Sequence, residues 1–236
     1  MLNNAKRLVL KKKLFHESTK KNLKIYVIHY TPLKERKEFQ KKQLNDLSLR
    51  NTEFIENYDK ESLSSDDVIK FNKNKLSLPV ISLFKKHIFT LELIQKSKYS
   101  LNLILEDDAI LNKNFNNLLS QAVAQLPKDY DMLFIDEGPG LHIPSTSTAK
   151  LVYKKDIYPS AWGGNGATRG SGGILVNKKC TEKIYNFYKK MEKDEIDLPI
   201  DYWLNVAIRE LKLNIYWMEP TIIRQGSVTG KFNSSL

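Results

Sequence analysis

Apolar residues come in short blocks, separated by longer stretches with helical spacing. Lys24-Ile25-Tyr26-Val27-Ile28-His29-Tyr30 is a β-branched and aromatic run closed by Thr31-Pro32, and it reads as a buried strand. Positions 33–49 follow with heavy charge and helical spacing, with Leu33, Phe39, Gln43, Leu44 and Leu47 near one face. Phe54-Ile55-Glu56-Asn57 predicts a second short strand, and the polar stretch 59–75 a loop with a helical turn. Pro79 and Ser82 open an amphipathic helix in which Leu83, Phe84, Ile88, Leu91 and Ile94 keep the 3.6 period. Leu101 to Leu105 is a strand that runs into Glu106-Asp107-Asp108, and Asp131 to Ile135 one that runs into Asp136-Glu137. Between them, Phe115 to Leu126 is a helix stopped by Pro127. The stretches 138–150 and 156–173 are loop-rich. Strand 173–176, helix 178–192, helix 199–211 and strand 213–217 complete the expected series. Strands alternating with helices predict an α/β sheet flanked by helices, and such sheets bind ligands at the carboxyl ends of their strands. Both acidic clusters fall there.

Composition narrows the class. At 236 residues the chain holds one generous domain, or one domain plus an appendage. Hydrophobic residues make up 41%, enough for a core without staples, so neither a disulfide scaffold nor a disordered chain fits. Cys180 is the single cysteine, which excludes an intrachain disulfide and zinc sites built on paired cysteines. No apolar run approaches the roughly 18 residues of a membrane span, and Leu8-Val9-Leu10 is too short for a signal-peptide core. A reducing cytoplasm is the expected compartment.

The net charge of +11 is uneven. Lys6, Arg7, Lys11, Lys12, Lys13, Lys20, Lys21 and Lys24 stand against one acid, Glu17. Residues 1–22 therefore read as a basic lead-in to a domain over 23–236. Such a run is either a solvated arm or an attachment to an anionic surface, where each cation contributes about 1 kcal/mol. The cytoplasmic face of an inner membrane ranks above nucleic acid, because no helix-turn-helix, RNP-like or zinc-finger pattern is visible.

Three consecutive carboxylates raise one another's pKa unless something positive sits among them. In an extended strand end, Glu106 and Asp108 share a face and Asp107 takes the other. A hard cation such as Mn²⁺ or Mg²⁺, which combines one or two carboxylates with substrate phosphates, would neutralise the cluster. An acidic turn is the plain alternative, but apolar Ala109, Ile110 and Leu111 beyond the acids suggest a semi-buried site.

The string Leu103-Ile104-Leu105-Glu106-Asp107-Asp108-Ala109 resembles the acidic motif of glycosyltransferase family 25, which includes bacterial lipooligosaccharide galactosyltransferases and collagen galactosyltransferases. Other segments agree in order: Ile25 to Tyr30 with Arg36 following, Ser82 through His87, Leu198-Pro199-Ile200-Asp201, and Gln225-Gly226-Ser227 with Ser234-Ser235. The resemblance covers residues 23–236. It implies a GT-A type, Rossmann-like mixed sheet flanked by helices, a nucleotide-sugar donor, a divalent metal (most often Mn²⁺) and a glycolipid acceptor. Transfer of galactose from UDP-galactose onto a lipooligosaccharide or lipopolysaccharide core, with inversion, is the expected activity. There are departures: His29-Tyr30 stands where many members have Asn-Leu, and no D-x-D is spelled out.

Asp108 is the first candidate metal ligand, Glu106 its partner, and Asp107 a ribose or sugar contact. Ile28, Tyr30, Arg36, Ser82 and His87 are the other nucleotide-sugar positions the resemblance implies. Inversion calls for one carboxylate base: Asp201 at the start of a helix, with Asp136 or Glu137 as runner-up. His142, in a loop flanked by Gly and Pro, is a further candidate for the metal shell. The glycine-rich stretch 162–173 offers Trp162 for a sugar ring and Arg169 for phosphate. His16 and His29 carry no signal beyond position, and Cys180 lacks a base and orienter. Two rivals remain: a metal-dependent phosphotransferase or nuclease, and a non-catalytic basic membrane- or nucleic-acid-binding module.

Overall fold

The computed structural model describes residues 17–138, 140–143, 150–156 and 166–234. The cations from Lys6 to Lys13, His16, Trp162 with the glycines beside it, and Ser235 lie outside the described residues. The main elements are β1 (Leu23–Ile28), α1 (Lys34–Asp46), β2 (Thr52–Ile55), α2 (Ser65–Val68), α3 (Leu78–Lys96), β3 (Leu101–Glu106), β4 (Ala109–Leu111), α4 (Phe115–Gln125), β5 (Met132–Phe134), β6 (Val152–Lys154), β7 (Gly173–Val176), α5 (Lys178–Lys190), α6 (Ile200–Glu210), β8 (Ile215–Met218) and β9 (Ile223–Gln225).

Seven strands form one sheet in the order β2-β1-β3-β7-β5-β8-β6, and β4 pairs with β9 in a second, two-stranded sheet. β1 runs parallel to β2 and β3, and β5 parallel to β8, whereas β7 and β6 run antiparallel to their neighbours. The result is the expected mixed, GT-A/Rossmann-like sheet between helices. Its central strands look continuously apolar because both faces are covered. Tyr26, Ile28 and Ile104 pack under Phe84 and Ile88 of α3, while Ile25, Val27 and Leu103 pack with Leu44 of α1 and Leu119 of α4.

Several boundaries differ from the expectation. β2 ends at Ile55, in register with Ile28, and a turn at 57–58 follows. The stretch 59–75 carries a capped turn of helix, α2, whose Ser64 and Asp67 bond reciprocally. α1 was expected to turn an apolar face inward. It instead buries Arg36 and Gln40 along with Leu44, because its first turns meet the acidic turn while Leu44 packs on the core.

The parallel strands β1, β2, β3, β5 and β8 end along one edge, and the acids collect there. The segment after β9 returns to the same edge. Pairing of Ala109 with Gln225 and of Leu111 with Ile223 places Gly226 and Ser227 against Asp108. α6 is anchored by Trp203, whose ring sits 5.0 Å from that of Phe84 in edge contact, and this fixes Asp201 at the helix start.

Candidate active site

β3 delivers Glu106 as its last residue, and Asp107 and Asp108 form a turn rather than continued strand. The pleat therefore does not reach Asp108, and the two aspartates diverge. Asp107 is 6% exposed. Its Oδ1 accepts from Arg36 Nη1 at 2.8 Å and its Oδ2 from His29 Nδ1 at 2.8 Å, with the Tyr30 N–H at 3.2 Å. Burial alone would raise this carboxyl, but the bonds from His29 and Arg36 and the guanidinium charge hold it below its ordinary value. Gln40 donates to the carbonyls of Asp107 at 3.0 Å and Ala109 at 2.7 Å, which fixes the turn from beneath. His29, which carries no signal beyond position in the sequence, thus stands bonded beside the acids.

Asp108 faces the other way. Its Oδ2 accepts from Ser227 Oγ at 2.6 Å and from the Ser227 N–H at 3.0 Å, while its buried Oδ1 has no hydrogen-bond partner among the described residues. Burial and then the charge of Glu106 raise its carboxyl, and the Ser227 bonds pull it partly back. Glu106 accepts from Ser171 Oγ at 2.5 Å, and its own N–H donates to the Gly172 carbonyl at 3.2 Å. His87 lies buried with Nε2 3.7 Å from Glu106 Oε1, beyond hydrogen-bond range.

All three acids line a cavity of about 230 Å³ together with Ile28, Tyr30, Arg36, Ser82 and Lys86. Lys86 is 2% exposed, and its ammonium donates to the His29 carbonyl at 2.7 Å and to Asp59 at 2.7 Å. The sequence hides this lysine, which reads as an ordinary charged helix position. A second cavity of about 580 Å³ shares Leu83, Glu106 and Gln225 with the first and adds Asp201, Tyr202 and Asn205. The two cavities meet at the end of β3.

A family model described as "Glycosyltransferase family 25 (LPS biosynthesis protein)" matches residues 22–162. The chain belongs to glycosyltransferase family 25. It is therefore an enzyme of the hexosyltransferase type, which decides against a non-catalytic module and against a nuclease. The match contains β1, Arg36, α3 and the acids, and it stops before Asp201 and Ser227. No curated protein matches the chain. Among solved structures, a glycosyltransferase involved in the glycosylation of the major capsid of PBCV-1 is 9% identical over 86% of this chain and 93% of that one, with a TM-score of 0.47. S. aureus TarS 1–349 is 13% identical over 86% and 60%, at 0.46. The inositol-1-phosphate CTP transferase from T. maritima is 11% identical over 90% and 73%, at 0.43. Likenesses this loose add nothing to the family assignment.

Other expected site residues of the glycosyltransferase sit elsewhere. Arg169, expected at phosphate, has a fully buried side chain that donates to the carbonyls of Leu141 and Met218 and to Glu219 at 2.6 Å, with its guanidinium 4.9 Å from the Trp217 ring centre. Its hydrogen-bonding is spent inside the protein. His142, expected at the metal, contacts Glu219 at 3.3 Å, Arg169 at 3.1 Å and Glu137 at 4.0 Å, so it joins that network instead. Glu137 is half-exposed and pairs with Arg224 at 3.4 Å. Cys180 is fully enclosed, and burial pushes its thiol well up.

Asp136, the runner-up base, is also fully buried, so no acceptor hydroxyl reaches it. Its Oδ2 accepts from the Gly172 N–H at 3.0 Å. A side chain on Gly170, which has φ +127°, would come within 2.9 Å of the same oxygen. The acid therefore braces the turn that carries Ser171 to Glu106. Burial pushes the Asp136 carboxyl up to about 7. A raised carboxylate pKa favours the fold at low pH, and that contribution falls away as pH rises from about 4 to about 7. The Asp136→Asn variant should melt higher than the wild type at pH 8 and close to it at pH 5, by thermal unfolding at both values.

Proposed function

We propose that the enzyme is a metal-dependent inverting galactosyltransferase that uses UDP-galactose and a lipooligosaccharide or lipopolysaccharide core acceptor. The observation that carries this reading is the Asp108 Oδ1, which has no hydrogen-bond partner among the described residues, beside Glu106 in a cavity with Arg36 and Lys86. Two carboxylates completed by diphosphate oxygens are a donor set suited to Mn²⁺ or Mg²⁺. No group of three or more His, Cys, Asp or Glu able to hold a metal occurs among the described residues, so the remaining ligands would come from the donor and water. Bound at Glu106 and Asp108, the cation would neutralise charge developing on the departing diphosphate.

The chain's own residues supply the rest. Arg36, held by Asp107 and the Asn233 carbonyl, presents positive charge at the wall of the donor cavity. Ile28, Tyr30 and Ser82 form the wall around the nucleoside. Asp201 lines the adjoining cavity, and burial followed by the charge of Glu106 raises its carboxyl, which makes it a better proton acceptor than an ordinary aspartate. The acceptor oxygen bonds to the anomeric carbon as that carbon's bond to the diphosphate oxygen breaks. The hydroxyl proton passes to Asp201, and the configuration inverts. Residues 23–236 form the catalytic unit, and the basic stretch 1–22 holds it at the cytoplasmic face of the inner membrane. No described helix is long and apolar enough to cross a membrane.

Asp201→Asn should lower kcat by about 10²- to 10⁴-fold with little change in donor KM. NMR of the product should show the anomer opposite to that of the donor. An unchanged kcat would remove Asp201 from the role, and a retained anomer would remove direct displacement.

A further inference from the structure

The second cavity has a chemistry of its own. Its unmatched charge is acidic: Glu106 and Asp201 face it, beside the neutral polar residues Thr168, Ser171, Asn205 and Gln225. Arg169, which also borders it, has its charge matched by Glu219 at 2.6 Å and its side chain fully buried. No other lysine or arginine lines the cavity among the described residues. Burial is the main reason the Asp201 carboxyl is raised, and the charge of Glu106 adds to it in the same direction. A cation paired with a nucleotide sugar in the adjoining cavity would not reverse this balance, because its two positive charges meet the two negative charges of the diphosphate.

Another part of the wall is apolar. Val80, Leu83, Leu141 and Ile200 contribute to it, and Tyr202 is 51% exposed at the same surface. Tyr202 stands one residue after Asp201 on α6, whose position is fixed by Trp203. An exposed tyrosine ring beside a carboxylate combines a flat apolar face with a hydroxyl-seeking acceptor. The C–H face of a pyranose fits the first and a sugar hydroxyl the second.

We propose that this cavity is the acceptor subsite and that it takes an uncharged or amino sugar stacked on Tyr202, rejecting units that carry carboxylate or phosphate. The inference rests on the glycosyltransferase reading and narrows it, since the core of a glycolipid offers both neutral and acidic sugars. A carboxylate or phosphate placed here would lie against Glu106 and Asp201, and among the described residues no lysine or unmatched arginine lines the cavity to offset it; such like-charge contact is strongly unfavourable. An amino sugar would gain from the same two acids.

The test uses the full chain with Mn²⁺ and UDP-galactose. Donor hydrolysis without acceptor reports the donor site. Transfer to methyl glycosides of a neutral hexose, a hexosamine, a hexuronic acid and a hexose phosphate reports the acceptor site, and saturation-transfer NMR reports their binding. The neutral and amino glycosides should be used at least about tenfold better than the two acidic ones. Tyr202→Ala should raise acceptor KM about tenfold, the loss expected from one aromatic contact, with a smaller change in kcat. Equal or better use of the acidic glycosides overturns the proposal, as does an unchanged acceptor KM in the variant. Neutral sugars that bind without any donor hydrolysis would support the cavity assignment while sinking the donor reading. Donor hydrolysis without binding of any neutral or amino sugar would sink the cavity assignment alone.

Discussion

Replacing Asp108 with alanine is expected to reduce sugar transfer about a thousandfold, the scale seen when one preorganised charge-stabilising group is removed. The fold should survive, since Asp108 gives up only the two bonds from Ser227, a cost of about 1–3 kcal/mol. The loss should appear in kcat and in metal dependence together. Glu106→Gln should act in the same direction, because the carboxamide keeps the shape that receives the Ser171 hydroxyl while losing the charge. Steady-state rates across a Mn²⁺ titration, with thermal unfolding as the control for folding, check both variants. Transfer that survives Asp108→Ala intact would remove the acids from the chemistry.

Asp107, one residue earlier, should behave in the opposite way. It joins Arg36 and His29 at 2.8 Å each, and all three are buried. Asp107→Ala would leave a guanidinium buried without its partner, an effect of about 3–5 kcal/mol on unfolding free energy. The sign with pH follows from the lowered carboxyl. Its stabilisation is present above the ordinary carboxylate range and is lost as pH falls through the folded-state value. Wild type and Asp107→Ala should therefore converge in stability under strong acid and separate near neutrality. Urea unfolding at several pH values measures this. A uniform difference at every pH would show that the ion pair is not the source. Neighbouring aspartates that divide between stability and catalysis would mark the turn after β3 as the junction between sheet and chemistry.

The order of elements was legible where strands are buried on both faces. Ile25 to Ile28 and Leu103 to Leu105 leave no polar position to confuse the period, and α3 shows its apolar stripe plainly. The pieces that escaped are three residues long and find partners far along the chain. β4 pairs with β9, and β6 with β8. Nothing local in Val152-Tyr153-Lys154 announces a strand.

The acids were visible as a motif, but their division of labour was not. It depends on Arg36 and Gln40 turning inward from a helix that looks solvated, and on Ser227 arriving from more than a hundred residues away. Arg169 shows the converse. An arginine among glycines suggests phosphate, yet the structure encloses it against Trp217 and Glu219. A buried cation and a ligand-binding cation look alike in one dimension, because burial is decided by the segments that fold over them.

The central claim is that Glu106 and Asp108 hold a divalent cation against the donor's diphosphate. Isothermal titration of UDP into the protein with and without Mn²⁺, for the wild type and Asp108→Ala, tests it most directly. The wild type should bind UDP with an affinity that Mn²⁺ raises at least about tenfold, a coupling of about 1.4 kcal/mol, and the variant should lose that coupling. Equal binding of UDP with and without Mn²⁺ in the wild type, or an undiminished metal effect in Asp108→Ala, would contradict the account.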